Sequence, residues 1–149
     1  HLSPDDPSLW LELANAYLTR GDRLERPLDY AFALDFYARA VQKLPASPEA
    51  RFNLAYAFER LELWPDARDA WTRYLELDPQ SPWSDEARAH QRNAQSILDR
   101  RLELRRRLVT DPAAYLNLPD SQAETEEQLG SRRGRGPSPS GAALRIPAS

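Results

Sequence analysis

Cysteine and methionine are both absent from this chain of 149 residues, and its only histidines are His1 and His90. Without cysteine there is no disulfide framework and no thiolate metal site. That fits a reducing compartment and permits the periplasm as well, with the cytoplasm the favoured of the two. A chain that opens on histidine and holds no methionine is expected to be a segment excised from something longer, or a processed product, so its localisation stays open. Glycine is also scarce: Gly21 is the only one before residue 130, which leaves no glycine-rich loop to cradle phosphate. Apolar runs never exceed a few residues, far short of a membrane span. Lysine is nearly missing, since all 20 basic residues except Lys43 are arginine, a skew that reads as a GC-rich genome before any chemical demand.

What the chain does contain is a repeat. Ala33, Tyr37, Pro45 and Ser47 recur 34 residues later as Ala67, Trp71, Pro79 and Ser81. Pro7, Leu13, Ala14 and Tyr17 recur 41 residues later as Pro48, Leu54, Ala55 and Phe58. A 34-residue unit is therefore present twice, with seven extra residues between the halves of the first copy. A period of that length, with small and aromatic residues at fixed places, predicts stacked helical hairpins.

Local signals agree. Asp5 and Asp6 before Pro7 mark a helix start, and Leu9, Trp10, Leu13, Ala14, Tyr17 and Leu18 follow at helical spacing. Gly21 is expected to end that helix in a left-handed cap. Pro27 opens a second helix with the stripe Tyr30, Leu34, Tyr37, Val41 and Leu44, which Pro45 stops. The extra residues amount to nearly two helical turns, so the second helix can start two turns early in phase; a looped-out insertion is the alternative. Ser47-Pro48-Glu49 starts a third helix carrying Phe52, Leu54, Ala55, Phe58 and Leu61. Trp64-Pro65-Asp66 reads as the turn before a return helix lined by Ala67, Ala70, Trp71, Tyr74 and Leu75. Ser81-Pro82 then opens an unbroken segment to about Leu108.

These residues resemble tetratricopeptide repeats: Trp10, Leu13, Ala14, Tyr17, Ala33, Tyr37, Ala40 and Pro45 in one copy, and Leu54, Ala55, Phe58, Ala67, Trp71 and Pro79 in the other. The usual glycine of the first helix is alanine in both copies, Arg51 replaces an early aromatic, and Tyr74 replaces a late small residue. The resemblance implies an all-α, right-handed helical-hairpin solenoid over residues 1–108. Repeat 1 would span 7–47 with the insertion, repeat 2 would span 48–81, and a long C-terminal capping helix 82–108. In that last segment Arg88, Ala89 and Arg92 stand where a third copy would carry its signature, and a polar outer face suits a terminal cap better than a degenerate repeat.

Beyond it, residues 109–129 are expected to be short helical or irregular, with Asp111-Pro112 capping a short helix through Leu118. Residues 130–149 hold four glycines, three prolines, four serines and four arginines without an acid, and are expected to be a disordered tail.

Little here suggests catalysis. No nucleophile, metal cluster or cofactor motif stands out, and His90 on a polar helix face reads as a surface residue. The carboxylate pairs Glu59/Glu62 and Asp66/Asp69 read as surface ion pairs with nearby arginines. Residues 1–108 carry a net charge of −2, poor for phosphate binding, so Arg100, Arg101, Arg105, Arg106 and Arg107 read as a solvated helix end. The resemblance instead implies a concave groove that binds a partner polypeptide, with Leu11, Asn15 and Leu18 from the first repeat and Phe52, Tyr56, Glu59 and Arg60 from the second. One branch of the family clamps a C-terminal carboxylate. Asn15 and Asn53 match its asparagine places, but Leu11, Trp83 and Ala87 stand at its basic ones. The expectation is a protein-interaction scaffold with no cofactor, metal or small-molecule substrate. It would be a module of a larger bacterial protein, similar to repeat regions attached to caspase-like peptidase domains. The alternatives are a structural piece of a longer solenoid and, more weakly, an RNA-binding adaptor acting through the arginine-glycine tail.

Overall fold

The computed structural model describes residues 5–116, so the expected tail and most of segment 109–129 lie outside the described residues. Those described are all-helical: α1 Pro7–Leu24, α2 Pro27–Lys43, α3 Pro48–Arg60, α4 Trp64–Leu77, α5 Ser84–Thr110 and the short α6 Pro112–Leu116. Extensive packing joins each helix to the next in sequence: α1 to α2, α2 to α3, α3 to α4 and α4 to α5. None of these helices is long and apolar enough to cross a membrane.

The helix starts follow the capping chemistry of the sequence. Asp6 accepts a hydrogen bond from the Ser8 amide at 2.9 Å, and Ser47 Oγ accepts one from the Ala50 amide at 3.2 Å. In both cases a proline follows at the first helical position, where its missing N–H leaves nothing unpaired.

The first hairpin ends differently from expectation. Gly21 does not terminate α1; the helix continues to Leu24, and Glu25 takes the left-handed conformation at φ 50°. Gly21 is instead buried mid-helix because α2 comes too close for any side chain: a Cβ there would sit 2.8 Å from the Tyr30 ring. The second hairpin turns the same way. Glu62 has φ 56°, the Leu63 amide bonds to Phe58 O at 3.0 Å, and α4 begins at Trp64 rather than after it. The insertion is thus neither a loop nor two turns added to one helix. Alignment of the copies shows five residues lengthening the end of α1, three lengthening the start of α2, and a connection one residue shorter.

The core is built from aromatic rings seated on alanine seams. Tyr37, Phe52, Trp71 and Tyr74 are fully buried among Ala14, Ala33, Ala55, Ala57, Ala67 and Ala87. Phe52 meets Trp71 edge-on at 4.8 Å and Tyr74 at 5.1 Å, the geometry that ring quadrupoles favour. Each such ring withdrawn from water contributes about 1.5–3 kcal/mol. The alanines matter for a different reason: they let helices approach near enough for the rings to reach across.

α5 spans 27 residues, roughly 40 Å long. Its first half packs on α4 through Ala87, Ala94 and Ile97, the last two against the buried Trp64. Its second half projects. Leu102 is 67% exposed there, and Arg106 and Arg107 pair with Glu103 on the same helix. Hydrogen bonds from those arginines hold the Glu103 carboxyl down at about 2, the behaviour of a solvated helix end. Asp111 caps α5, and α6 starts at Pro112 as its sequence suggests.

Candidate functional site

The residues expected to line a groove on α1 and α3 divide into three groups. Leu18, Phe52 and Tyr56 are buried in the core, Leu18 and Phe52 without any exposed surface. They do not present themselves to a ligand, because Phe52 fills the space between Trp71, Tyr74 and Trp83 while Tyr56 turns toward His90. The apolar stripe of α3 faces the next helices rather than an open surface.

Glu59 and Arg60 are engaged internally. Arg60 Nη2 donates to the Tyr30 hydroxyl, its Nε sits 3.1 Å from Asp22 Oδ1, and its guanidinium lies 4.9 Å over the Tyr30 ring. The same hydroxyl donates to Asp22 at 2.9 Å; burial pushes it up to about 12, so it stays a donor at neutral pH. Glu59 accepts from Trp71 Nε1 at 3.1 Å and lies against His90.

Leu11 and Asn15 remain half-exposed. Asn15 joins three helices: its Nδ2 donates to Glu49 at 3.4 Å, and its Oδ1 accepts from the Tyr37 hydroxyl and from Asn53 Nδ2 at 3.4 Å. The buried Asn53 Oδ1 has no hydrogen-bond partner among the described residues. Burial also pushes the Tyr37 hydroxyl well up, so it keeps its proton.

Two further junctions were not legible in the sequence. Arg20 grips Asp29 with two bonds of 2.7 Å, holding the start of α2 to the added turns of α1. The hydrogen bond from Arg20 lowers the buried Asp29 carboxyl below its ordinary value, so Asp29 stays ionised. The second junction corrects the surface reading of His90. Its ring stacks on Trp71 at 4.8 Å and 13°, with Nδ1 2.9 and 3.0 Å from the two Glu59 oxygens and Nε2 3.7 Å from Glu86. Glu59 is therefore not the surface ion-pair residue that its spacing from Glu62 suggested, whereas Glu62 does reach Arg101 at 4.0 Å. A signal was available only in hindsight, since His90 is the sole histidine among the described residues.

What stays open is apolar. On the outer side of the first hairpin, Leu13 is 36%, Phe32 42% and Leu28 58% exposed. Tyr17 lies 5.1 Å from Phe32 and stacks at 5.9 Å on Phe36, with Arg20 5.0 Å over Tyr17 and Arg39 5.8 Å over Phe36. The repeat equivalent of Leu13 is Leu54, which is half-buried against the core, whereas Tyr17 and its equivalent Phe58 are both half-buried against it. No group of acidic, histidine or cysteine side chains suited to a metal occurs among the described residues. No protein-family model matches this chain, and no curated protein matches it.

Proposed function

We propose that the chain is a tetratricopeptide-like module of a larger bacterial protein, and that it acts as a scaffold holding another polypeptide. The observation that carries this reading is the open aromatic face of α1 and α2. Phe32 is exposed where the second hairpin has Asp66, and Leu28 lies in the added turn, opposite Glu62 of the second copy. Stacking of one hairpin on another accounts for Leu13 and Tyr17 but does not require a phenylalanine and a leucine beyond them. An exposed phenylalanine and leucine beside half-buried rings offer the kind of surface that an amphipathic partner helix covers. The half-exposed pair Leu11 and Asn15 is the second contact in this reading, reduced from the seven-residue groove that the resemblance implied.

The test is a peptide-display selection against the chain, repeated on Phe32→Ser and on Leu11→Ser, with circular dichroism to verify the fold. Enriched amphipathic peptides lost in Phe32→Ser support the face, and peptides lost in Leu11→Ser support the contact at Leu11 and Asn15. No enrichment, or enrichment indifferent to both changes, overturns the scaffold.

The equivalence of the exposed Leu13 to Leu54, which packs against the core, favours a second reading. Here the module continues a longer solenoid, and its open face meets a preceding hairpin. A synthetic peptide of residues 26–45, the helix that covers the matching face of α3, then binds in trans and protects Tyr17 from solvent.

A further inference from the structure

His90 stands between two carboxylates carried by different helices. Glu59 comes from α3 and meets Nδ1; Glu86 comes from the preceding turn of α5 and faces Nε2. α4 contributes no charge to the ring, only the Trp71 indole beneath it, and α3 adds the Tyr56 edge at 6.3 Å. A neutral imidazole carries one N–H, so it can serve one of these acids while its lone pair faces the other. Only the imidazolium has a donor for each. The Glu86 oxygen nearest the ring is buried with no hydrogen bond among the described residues, although the side chain as a whole keeps 27% of its surface exposed. A cation over an indole face is favoured as well.

We propose that His90 is a proton-operated latch: as the imidazolium it ties Glu59 and Glu86 together and holds α5 against the α3–α4 hairpin, and as the neutral ring it lets α5 loosen. Burial pushes the imidazole down, but the hydrogen bond and charge of Glu59, with Glu86 behind them, outweigh it and leave the group raised above 6.5. A group raised on docking stabilises the docked state fully below its free value. That support is lost as pH rises through the docked value. Loosening α5 uncovers Trp64, which now packs under Ala94 and Ile97, and gives hairpin two an open apolar face resembling the one on hairpin one. The latch stands independently of the scaffold reading, since its readout is the docking of α5 and not capture of a partner.

The composition makes the test clean. With no cysteine, the groups expected to titrate between about pH 6 and pH 8.5 are the imidazoles of His90 and His1 and the amino terminus, and His90→Gln separates the first from the other two. Hydrogen exchange of the amides in residues 84–98, corrected for intrinsic rates, is measured on the full chain across that range. The docked-to-open ratio is expected to fall about tenfold for each unit by which the docked imidazole exceeds its free value. His90→Gln removes this pH dependence. Should that variant fail to fold, Glu86→Gln keeps the Glu59 contact and shifts the midpoint to lower pH. Imidazole resonances titrating at or below 6.5, or an unchanged pH profile in both variants, overturn the latch.

Discussion

The two hairpins have the same design but opposite surroundings. Hairpin two is covered on both sides, by α2 before it and by α5 after it, and its large rings Trp64, Trp71 and Tyr74 are fully buried. Among the described residues hairpin one is covered on one side only, and its outer rings, Tyr17, Phe32 and Phe36, meet one another and the arginines Arg20 and Arg39, with Tyr17 and Phe36 also half-buried against the core. An identical repeat position therefore carries a different energetic weight in each copy. Position in the stack decides how much a side chain contributes, and chemical type comes second.

The sharpest way to break that comparison is a matched pair of truncations. Trp71→Ala is expected to cost about 3–5 kcal/mol, since the indole is buried on every side and also donates to Glu59. Phe32→Ala on the open face is expected to cost about 1 kcal/mol. Denaturant midpoints measure both, and equal losses would mean that the face is covered in solution. Next in size is Gly21→Ala, expected to destabilise by about 1 kcal/mol. The clash with a Tyr30 ring held by Asp22 and Arg60 exceeds the helix-propensity gain. A more stable variant would show that α2 can shift away, and that hairpin one is the looser of the two. The smallest effect concerns the left-handed glutamates. Glu25→Gly and Glu62→Gly should each stabilise by about 0.5 kcal/mol, because removing the Cβ relieves strain at positive φ that slightly exceeds glycine's entropy cost. Thermal melts of the two variants should agree, since both turns use the same geometry.

Much of the helical order was written in short-range signals. Prolines at residues 7, 27 and 48 mark three helix starts, and the alanine–aromatic spacing marks which faces are buried. The turns were misplaced because glycine is the usual left-handed residue; here Gly21 serves close helix approach while Glu25 bears the strain. The groove assignment failed for Leu18, Phe52 and Tyr56 because helical periodicity shows that residues share a face without saying what lies opposite. His90, Glu59 and Asp29 escaped because their partners lie 31 and 9 residues away, in register only once the helices have stacked.

Each described helix packs chiefly against its neighbours in the chain, and that has a kinetic consequence. No distant segment must be found before the first contacts form, so structure can advance hairpin by hairpin as the polypeptide leaves the ribosome, with low contact order and correspondingly fast folding. The same geometry makes the array fray from its ends inward under tension, giving up one helix at a time while the rest keeps its shape.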